Sequence, residues 1–237
     1  YQDTDGDPAT PCDGAENACP AGTHSVQGST ACVDCEAGQA DLDSDPSTDC
    51  TQCPVGHVSA SGETTCTVCP LGTVDGDEDA STECSVCAAG TYSSEGSTAC
   101  SDCASGEADL DSDAATPCVA CPSGSFSSTG QTSCEGCVAG EEDHDSSATT
   151  PCISCPLGQF SVDAATSCTR CAAGQFADSE GTALCTSCGA GKYLDSIGND
   201  AETDCISCVS GRYIDVDGSD QATDCIACDA GRYGGGG

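Results

Sequence analysis

Apolar residues follow no helical spacing anywhere along the chain, and glycine, serine, threonine, aspartate and proline recur every few positions. Turn-forming residues at this density break the chain into short pieces and leave room only for short strands between turns. The pattern therefore predicts an all-β, irregular fold with almost no helix. Within that class we expect a small, disulfide-rich repeat solenoid, a rod of short hairpins and turns.

The cysteines impose a repeat on the chain. From Cys19 to Cys171, C-x2-C pairs are separated by loops that alternate between a shorter and a longer length, which gives a period of two units. The cysteines that mark this double-unit period are Cys19, Cys53, Cys87, Cys121 and Cys155. The last two loops, 189–204 and 209–224, are longer than any before them. We divide the chain into the second half of a truncated unit (1–12), a linker (13–18), repeats with the double-unit period (19–171), longer variant repeats (172–227) and the first half of a truncated unit with a glycine tail (228–237).

Every unit places a glycine three residues after its first cysteine, and the aromatic residues follow two positions later, as Tyr92 and Phe126 do. The glycine indicates a turn with positive φ or a close approach to the neighbouring cystine. A single ring at a fixed position suits a platform that stacks on a cystine, so we interpret the rings as structural. His24 occupies the same position and His57 the position before it, and both receive the same interpretation.

The composition does not permit a core of ordinary size, because aromatic residues make up 3% of the chain and methionine and tryptophan are absent. Disulfides must then offset the entropy lost on folding, which places the protein outside the cell or on its surface. The net charge of −36 disfavours nucleic acid and anionic membranes as partners. No apolar run approaches the roughly 20 residues of a membrane span.

The unit C-x2-G-x-[YF], a loop rich in Ser, Thr and Gly, and a closing C-x2-C resembles the cysteine-rich ephrin-receptor-like repeats of extracellular proteins. The stretches "CAAGTYSSEGSTACSDC" (87–103) and "CPSGSFSSTGQTSCEGC" (121–137) carry the resemblance best. The pattern is also related to tumour necrosis factor receptor and EGF-like modules. The resemblance extends over essentially the whole chain and implies a stalk, a receptor ectodomain or a component of a surface coat or filament.

If each unit closes its own loop, each ring of about 14 to 18 residues contributes roughly 3 kcal/mol. The bonds are then Cys19 with Cys32, Cys35 with Cys50, Cys53 with Cys66, Cys69 with Cys84, Cys87 with Cys100, Cys103 with Cys118, Cys121 with Cys134, Cys137 with Cys152, Cys155 with Cys168, Cys171 with Cys185, Cys188 with Cys205, and Cys208 with Cys225. Bonds inside each C-x2-C, or zinc ribbons, are the other hypotheses. Sequential pairing leaves Cys12 and Cys228 as candidates for a bond between subunits in a head-to-tail filament.

The longer loops carry aspartates at alternate positions, which concentrates the oxygen ligands that calcium prefers. The candidate calcium ligands are Asp41, Asp43, Asp45, Asp75, Asp77, Asp79, Asp109, Asp111 and Asp113. An EF-hand is excluded, because counting from Asp109 puts alanines where that loop needs its glycine and glutamate. Diffuse attraction of cations and plain solvation are the alternatives.

No arrangement typical of an active site is present, and we predict neither enzymatic activity nor a cofactor other than the candidate calcium. The two asparagines lie outside N-x-[ST] motifs, and the hydroxyl-rich loops favour O-glycans instead. The candidate sites are Ser93, Ser94, Ser127, Ser128 and Thr129. The sequence thus predicts an extracellular structural protein that forms or decorates a filament, stalk or flagellar-hair-like fibre. The alternative is a receptor or adhesion ectodomain that binds a protein ligand.

Overall fold

The computed structural model describes residues 19–26, 28, 29 and 31–232. They form two compact units, the first from residues up to 103 with 109–119 and 130–132, the second from residues 104–108, 120–129 and 133 onward. Helical structure in the described residues is limited to two 3-10 turns, Glu202–Asp204 and Ala222–Asp224. No helix among these residues has the length or apolar character needed to cross a membrane.

The regular structure consists of two-residue strands, and consecutive strands pair into two-stranded sheets, with antiparallel registers such as Tyr92 opposite Ser101. The strands are β1 (Thr23–His24), β2 (Val33–Asp34), β3 (Gln39–Ala40), β4 (Thr51–Gln52), β5 (His57–Val58), β6 (Thr67–Val68), β7 (Thr73–Val74), β8 (Ser85–Val86), β9 (Thr91–Tyr92), β10 (Ser101–Asp102), β11 (Glu107–Ala108), β12 (Val119–Ala120), β13 (Ser125–Phe126), β14 (Glu135–Gly136), β15 (Glu141–Glu142), β16 (Ile153–Ser154), β17 (Gln159–Phe160), β18 (Thr169–Arg170), β19 (Gln175–Phe176), β20 (Thr186–Ser187), β21 (Lys192–Tyr193), β22 (Ile206–Ser207), β23 (Arg212–Tyr213) and β24 (Ile226–Ala227). The expectation of an all-β, irregular repeat fold is confirmed.

Each hairpin belongs to one repeat, which we define by the disulfide that closes its loop. Twelve such disulfides join the cysteines in sequence, from Cys19–Cys32 to Cys208–Cys225, over separations of 13 to 17 residues. A loop of this size closed covalently removes about 3 kcal/mol of entropy from the unfolded chain. The large number of cystines therefore takes the place of a large apolar core.

The glycine after the first cysteine closes a tight turn ahead of the first strand. In the repeat that begins at Cys53, the N–H of His57 donates to the carbonyl of Pro54 at 3.1 Å, and Gly56 has φ of 81°. A β-carbon on Gly56 would lie 2.1 Å from the carbonyl oxygen of Gly96, which belongs to the next but one repeat. The glycine thus provides both the positive φ and the close approach that its fixed position suggested.

The core is divided into small clusters centred on cystines. Phe176 packs against Cys188 and Cys205, and Phe160 packs against the cluster of Cys171 and Cys185, so a ring from one repeat covers the cystine of the following repeat. Where the ring is absent, a small apolar residue takes its place, as Val74 does next to Cys87. The interpretation of the rings as structural platforms agrees with these contacts.

Backbone hydrogen bonds connect successive repeats at equivalent positions. The N–H groups of Gly62 and Gly96 donate to the carbonyls of Cys35 and Cys69 in the preceding repeats at 2.9 and 2.8 Å. The same bond recurs in the second unit from Gly181, Gly198 and Gly218. Each repeat therefore depends on its neighbours for part of its backbone hydrogen bonding, as in other repeat proteins.

Candidate functional site

The first aspartate of each acidic loop is buried and bonds the preceding repeat. Asp41, Asp75, Asp109 and Asp143 are between 2% and 6% exposed. One carboxylate oxygen of each accepts a hydrogen bond of 2.9 to 3.0 Å from the N–H of a glycine in the preceding repeat, respectively Gly22, Gly56, Gly90 and Gly124. These residues stand six positions after the first cysteine, which we call the link position.

In the short-loop repeats that begin at Cys53, Cys87, Cys121 and Cys155, the link position holds a buried serine instead. The hydroxyls of Ser59, Ser93, Ser127 and Ser161 donate to the carbonyls of Gln39, Thr73, Glu107 and Glu141, at 2.7 to 2.9 Å. The backbone carbonyl of each serine also accepts the glycine N–H of the preceding repeat, as in Gly38 to Ser59 at 3.0 Å. Aspartate and serine thus alternate at one buried position with the double-unit period of the cysteines.

Burial at the link position separates the aspartates that were expected to act together as calcium ligands. Asp41 points to Gly22, whereas Asp43 and Asp45 are exposed and accept hydrogen bonds from their own loop, including the hydroxyls of Thr48 and Ser47. The loop at Asp77 and Asp79 repeats this arrangement with Thr82 and Ser81, and the loop at Asp111 and Asp113 repeats it with Thr116 and the N–H of Ala115.

The exposed aspartates are held as charged turn formers. A hydrogen bond from the Ser47 hydroxyl lowers the pKa of Asp45, and the Ser81 hydroxyl does the same to the pKa of Asp79. The N–H of Asp113 lowers the pKa of Asp111, and the Thr150 hydroxyl lowers that of Asp145. Donors within the loop favour the ionised form and hold each carboxylate in its own turn.

Among the described residues, one group of three histidine, cysteine or acidic side chains has all its ligand atoms within 4.8 Å of one another, and it consists of His24, Cys35 and Cys50. Its two sulfurs form a disulfide, so they are not available as thiolate ligands. The aspartates of one loop do not form such a group. One buried carboxylate oxygen of Asp75 and one of Asp143 have no hydrogen-bond partner in the structure. Calcium binding by these loops stays a prediction.

Two of the five candidate O-glycan residues are buried. Ser93 and Ser127 are 5% and 4% exposed, and their hydroxyls donate the hydrogen bonds to the preceding repeat described above. A glycosyltransferase therefore could not reach them in the folded chain. Ser94, Ser128 and Thr129 are exposed. The prediction of O-glycans therefore rests on these three residues.

The remaining residues of interest are the two cysteines left over by sequential pairing and the histidines. Cys228 is half-buried and carries no disulfide within the described residues, while its candidate partner Cys12 lies outside them. A bond between these two cysteines stays a prediction. His57 contacts its own turn through the carbonyl of Val55, and exposed His144 lies 3.9 Å from the carboxylate of Asp145.

A surface groove in the second unit combines apolar and cationic groups. Tyr193, Ile206, Val209 and Ala222 line a cavity of about 410 Å³, and Arg212 lies at its side. Tyr193 and Ile206 are opposite each other in the β21–β22 hairpin, while Arg212 begins the next hairpin. The groove thus lies between two successive repeats.

Sequence reasoning did not identify the groove, although a signal for it was present. Lys192, Arg212 and Arg232 each stand four residues after the first cysteine of a repeat and precede a tyrosine. Their equal spacing indicated a repeated feature, but only the packing of consecutive hairpins brings Arg212 next to Tyr193 and Ile206.

Comparison with known families supports the resemblance that the cysteine pattern indicated. The family model described as tyrosine-protein kinase ephrin type A/B receptor-like matches residues 158–205 and 174–225. No curated protein matches the chain. The matched repeats share their disulfides, hairpins and glycine turns with the repeats that precede them. Such disulfide-dense repeats belong to proteins outside the cell or on its surface. Residues 158–225 are therefore similar to ephrin-receptor-like repeats, and the described residues from Cys19 onward form cysteine-rich repeats of the same pattern.

Proposed function

We propose that this chain is a structural component of an extracellular filament, stalk or fibre, and that it assembles with copies of itself. The proposal includes no enzymatic role, in keeping with the usual role of receptor-like repeats of this kind. O-glycans on the exposed hydroxyls of the short loops belong to the same proposal.

The observation that carries the proposal is the uniformity of the bonds between repeats. A glycine N–H donates to the link position of the next repeat throughout residues 22–194, and a cystine closes every described repeat. A receptor ectodomain typically has one binding surface that differs from its surroundings, whereas a scaffold needs the same contact many times. The regular spacing of these bonds therefore supports a structural role over most of the chain.

Negative-stain electron microscopy and sedimentation velocity of the secreted, oxidised chain test the proposal. We expect assemblies that grow with protein concentration and disappear when the chain is reduced and alkylated. A monodisperse monomer across the accessible concentration range would contradict self-assembly. Peptide mapping without reduction tests the Cys12 to Cys228 bond separately, and a non-reducing gel of the same sample distinguishes a bond between subunits, which multiplies the mass of the chain, from one within a chain, which does not.

Glycan mapping of the secreted chain tests the second part of the proposal. We expect O-glycans on Ser94, Ser128 or Thr129, and none on Ser93 and Ser127, which serve as internal controls because they share the same loops but are buried. Unmodified hydroxyls at all three exposed positions would remove glycosylation from the proposal.

The second candidate function is a ligand-binding ectodomain. The observation that favours it is the concentration of all four cations in residues 170–232, together with the groove beside Arg212. This function predicts a monomer that binds a different protein through the variant repeats. The sedimentation experiment distinguishes the two candidates, because an ectodomain stays monomeric when its ligand is absent.

A further inference from the structure

The groove beside Arg212 has an apolar floor and an available cation. Tyr193 is half-buried, and Ile206 and Val209 are 44% and 69% exposed, so the groove presents apolar surface to solvent. The guanidinium of Arg212 is held by a hydrogen bond of 2.8 Å from Nη1 to the carbonyl of Cys225. It forms no ion pair with the described residues, and its other N–H groups remain available to a carboxylate.

A matching group exists on the acidic loops of the same chain. Leu42 and Leu110 are each 54% exposed, and each stands between a buried link aspartate and an exposed aspartate in the sequence DLDSD. The bond from Asp41 to Gly22, and that from Asp109 to Gly90, fix the backbone directly before each leucine. The leucine and the carboxylate that follows it are therefore presented together from a well-anchored segment.

The charge distribution favours contact between these two features on different copies of the chain. Residues 1–169 contain 29 of the 40 acidic residues and no lysine or arginine, whereas all four cations lie between residues 170 and 232. Residues 170–237 also contain 11 acidic residues and are net negative, but an acidic partner is repelled less there than by residues 1–169 and finds its only lysine and arginine partners there. The other two acidic loops carry Gly76 and His144 in place of the leucine, so only two loops have both chemical groups.

We propose that the groove of one copy binds the Leu–Asp pair of an acidic loop on a second copy. The leucine lies against Tyr193, Ile206 and Val209, and the carboxylate of Asp43 or Asp111 pairs with Arg212. This inference rests on the proposed self-assembly and names the surfaces through which two copies would bind. Salt screens the exposed Arg212 to aspartate pair and so weakens this contact, while it also reduces the repulsion between two copies of net charge −36.

Charge reversal and matched controls test the contact by sedimentation velocity. We expect Arg212→Glu to weaken self-association at least tenfold, and the double variant Leu42→Ser/Leu110→Ser to do the same. Arg170→Glu and Leu71→Ser are the controls, since Arg170 is an exposed cation outside the groove and Leu71 is 54% exposed but is followed by Gly72 and not by an aspartate. Both controls should associate like the unmodified chain.

Mixing two variants gives a second, positive test. A chain with Asp43→Arg and Asp111→Arg should associate with the Arg212→Glu chain more tightly than either associates with itself. If the unmodified chain assembles but the groove and loop variants assemble equally well, the contact is wrong and the proposed structural function stands. If the unmodified chain stays monomeric, both are overturned.

Discussion

The repeats of residues 35–168 and those of residues 171–225 contact their neighbours through the same link position but with different side chains. In the first region, a buried aspartate alternates with a buried serine, and side-chain oxygens form hydrogen bonds to the neighbouring repeat. In the second region, Ala177, Leu194 and Ile214 occupy the link position and are 2% to 5% exposed. The first region thus depends on directional hydrogen bonds, and the second on apolar burial.

The hydrogen bond from the glycine N–H to the link residue is kept when an apolar side chain replaces the serine or aspartate. The N–H of Gly158 donates to the carbonyl of Ala177, and the N–H of Gly174 donates to that of Leu194, at 2.9 and 2.7 Å. An apolar side chain is thus tolerated when the backbone of the link residue accepts the glycine N–H. A buried carboxylate is required only where the glycine points to the side chain.

The largest effect is expected from substitution of a packed glycine. Gly56→Ala would place a β-carbon 2.1 Å from the carbonyl oxygen of Gly96 at a positive φ, and we expect a loss of about 4 kcal/mol from strain and overpacking together. The matched variant Gly191→Ala has φ of 90° but no atom within 4 Å, so its loss is about 1 kcal/mol. Hydrogen exchange of the flanking repeats measures the loss of stability in each variant. Equal losses in the two variants would mean that the contact with Gly96 does not restrict Gly56.

Truncation of the apolar link residue comes next. Leu194 is 2% exposed and packs with Phe176, Cys188 and Cys205, so Leu194→Ala should lower the free energy of unfolding by about 3 kcal/mol. The exposed Leu184 is the control, and its alanine variant should change stability by about 0.5 kcal/mol at most. Denaturant titration of the oxidised chain provides the measurement. A small effect at Leu194 would mean that the second region does not depend on apolar burial.

A smaller loss is expected from the polar link. Asp75→Ala leaves the N–H of Gly56 buried without an acceptor and should cost about 2 kcal/mol, whereas Asp75→Asn keeps an acceptor oxygen and should cost less. The neighbouring Asp77→Ala serves as the control, because that carboxylate is exposed. If Asp75→Ala and Asp77→Ala melt at the same temperature, the buried bond contributes nothing to stability.

Divalent cations should have the smallest effect and should not distinguish calcium from magnesium. The exposed aspartates already accept hydrogen bonds from their own loops, so either ion should raise the melting temperature only by screening the negative charge. Calorimetry with each ion and with chelator is the measurement. A saturable shift that appears with calcium alone and is lost in Asp77→Asn would instead establish an ordered calcium site.

The cysteine spacing was sufficient to predict the hairpins, because a short loop between two C-x2-C pairs permits little besides two short strands and a turn. The role of Asp75 was not predictable in the same way. It has the same offset from its cysteine as Ser59 and Ser93, which was visible, but aspartates are usually exposed and three at alternate positions suggest a metal. Its burial depends on the position of a backbone N–H in another repeat, and the groove beside Arg212 likewise depends on contacts between repeats.

The alternation at the link position restricts how the gene for such an array can lengthen or shorten. Loss of a single repeat, for instance residues 53–68, would place Asp75 next to Gly38, whose present partner is the backbone carbonyl of Ser59. A carboxylate would then be buried at a place where the neighbouring glycine now bonds the backbone of a serine. The contacts between all later repeats would be unchanged. Duplication or deletion of two consecutive repeats preserves the alternation, so each glycine keeps the type of link residue that it bonds now. We therefore expect recombination to add or remove this sequence two repeats at a time, so that the pair of repeats, and not the single repeat, is the unit of inheritance.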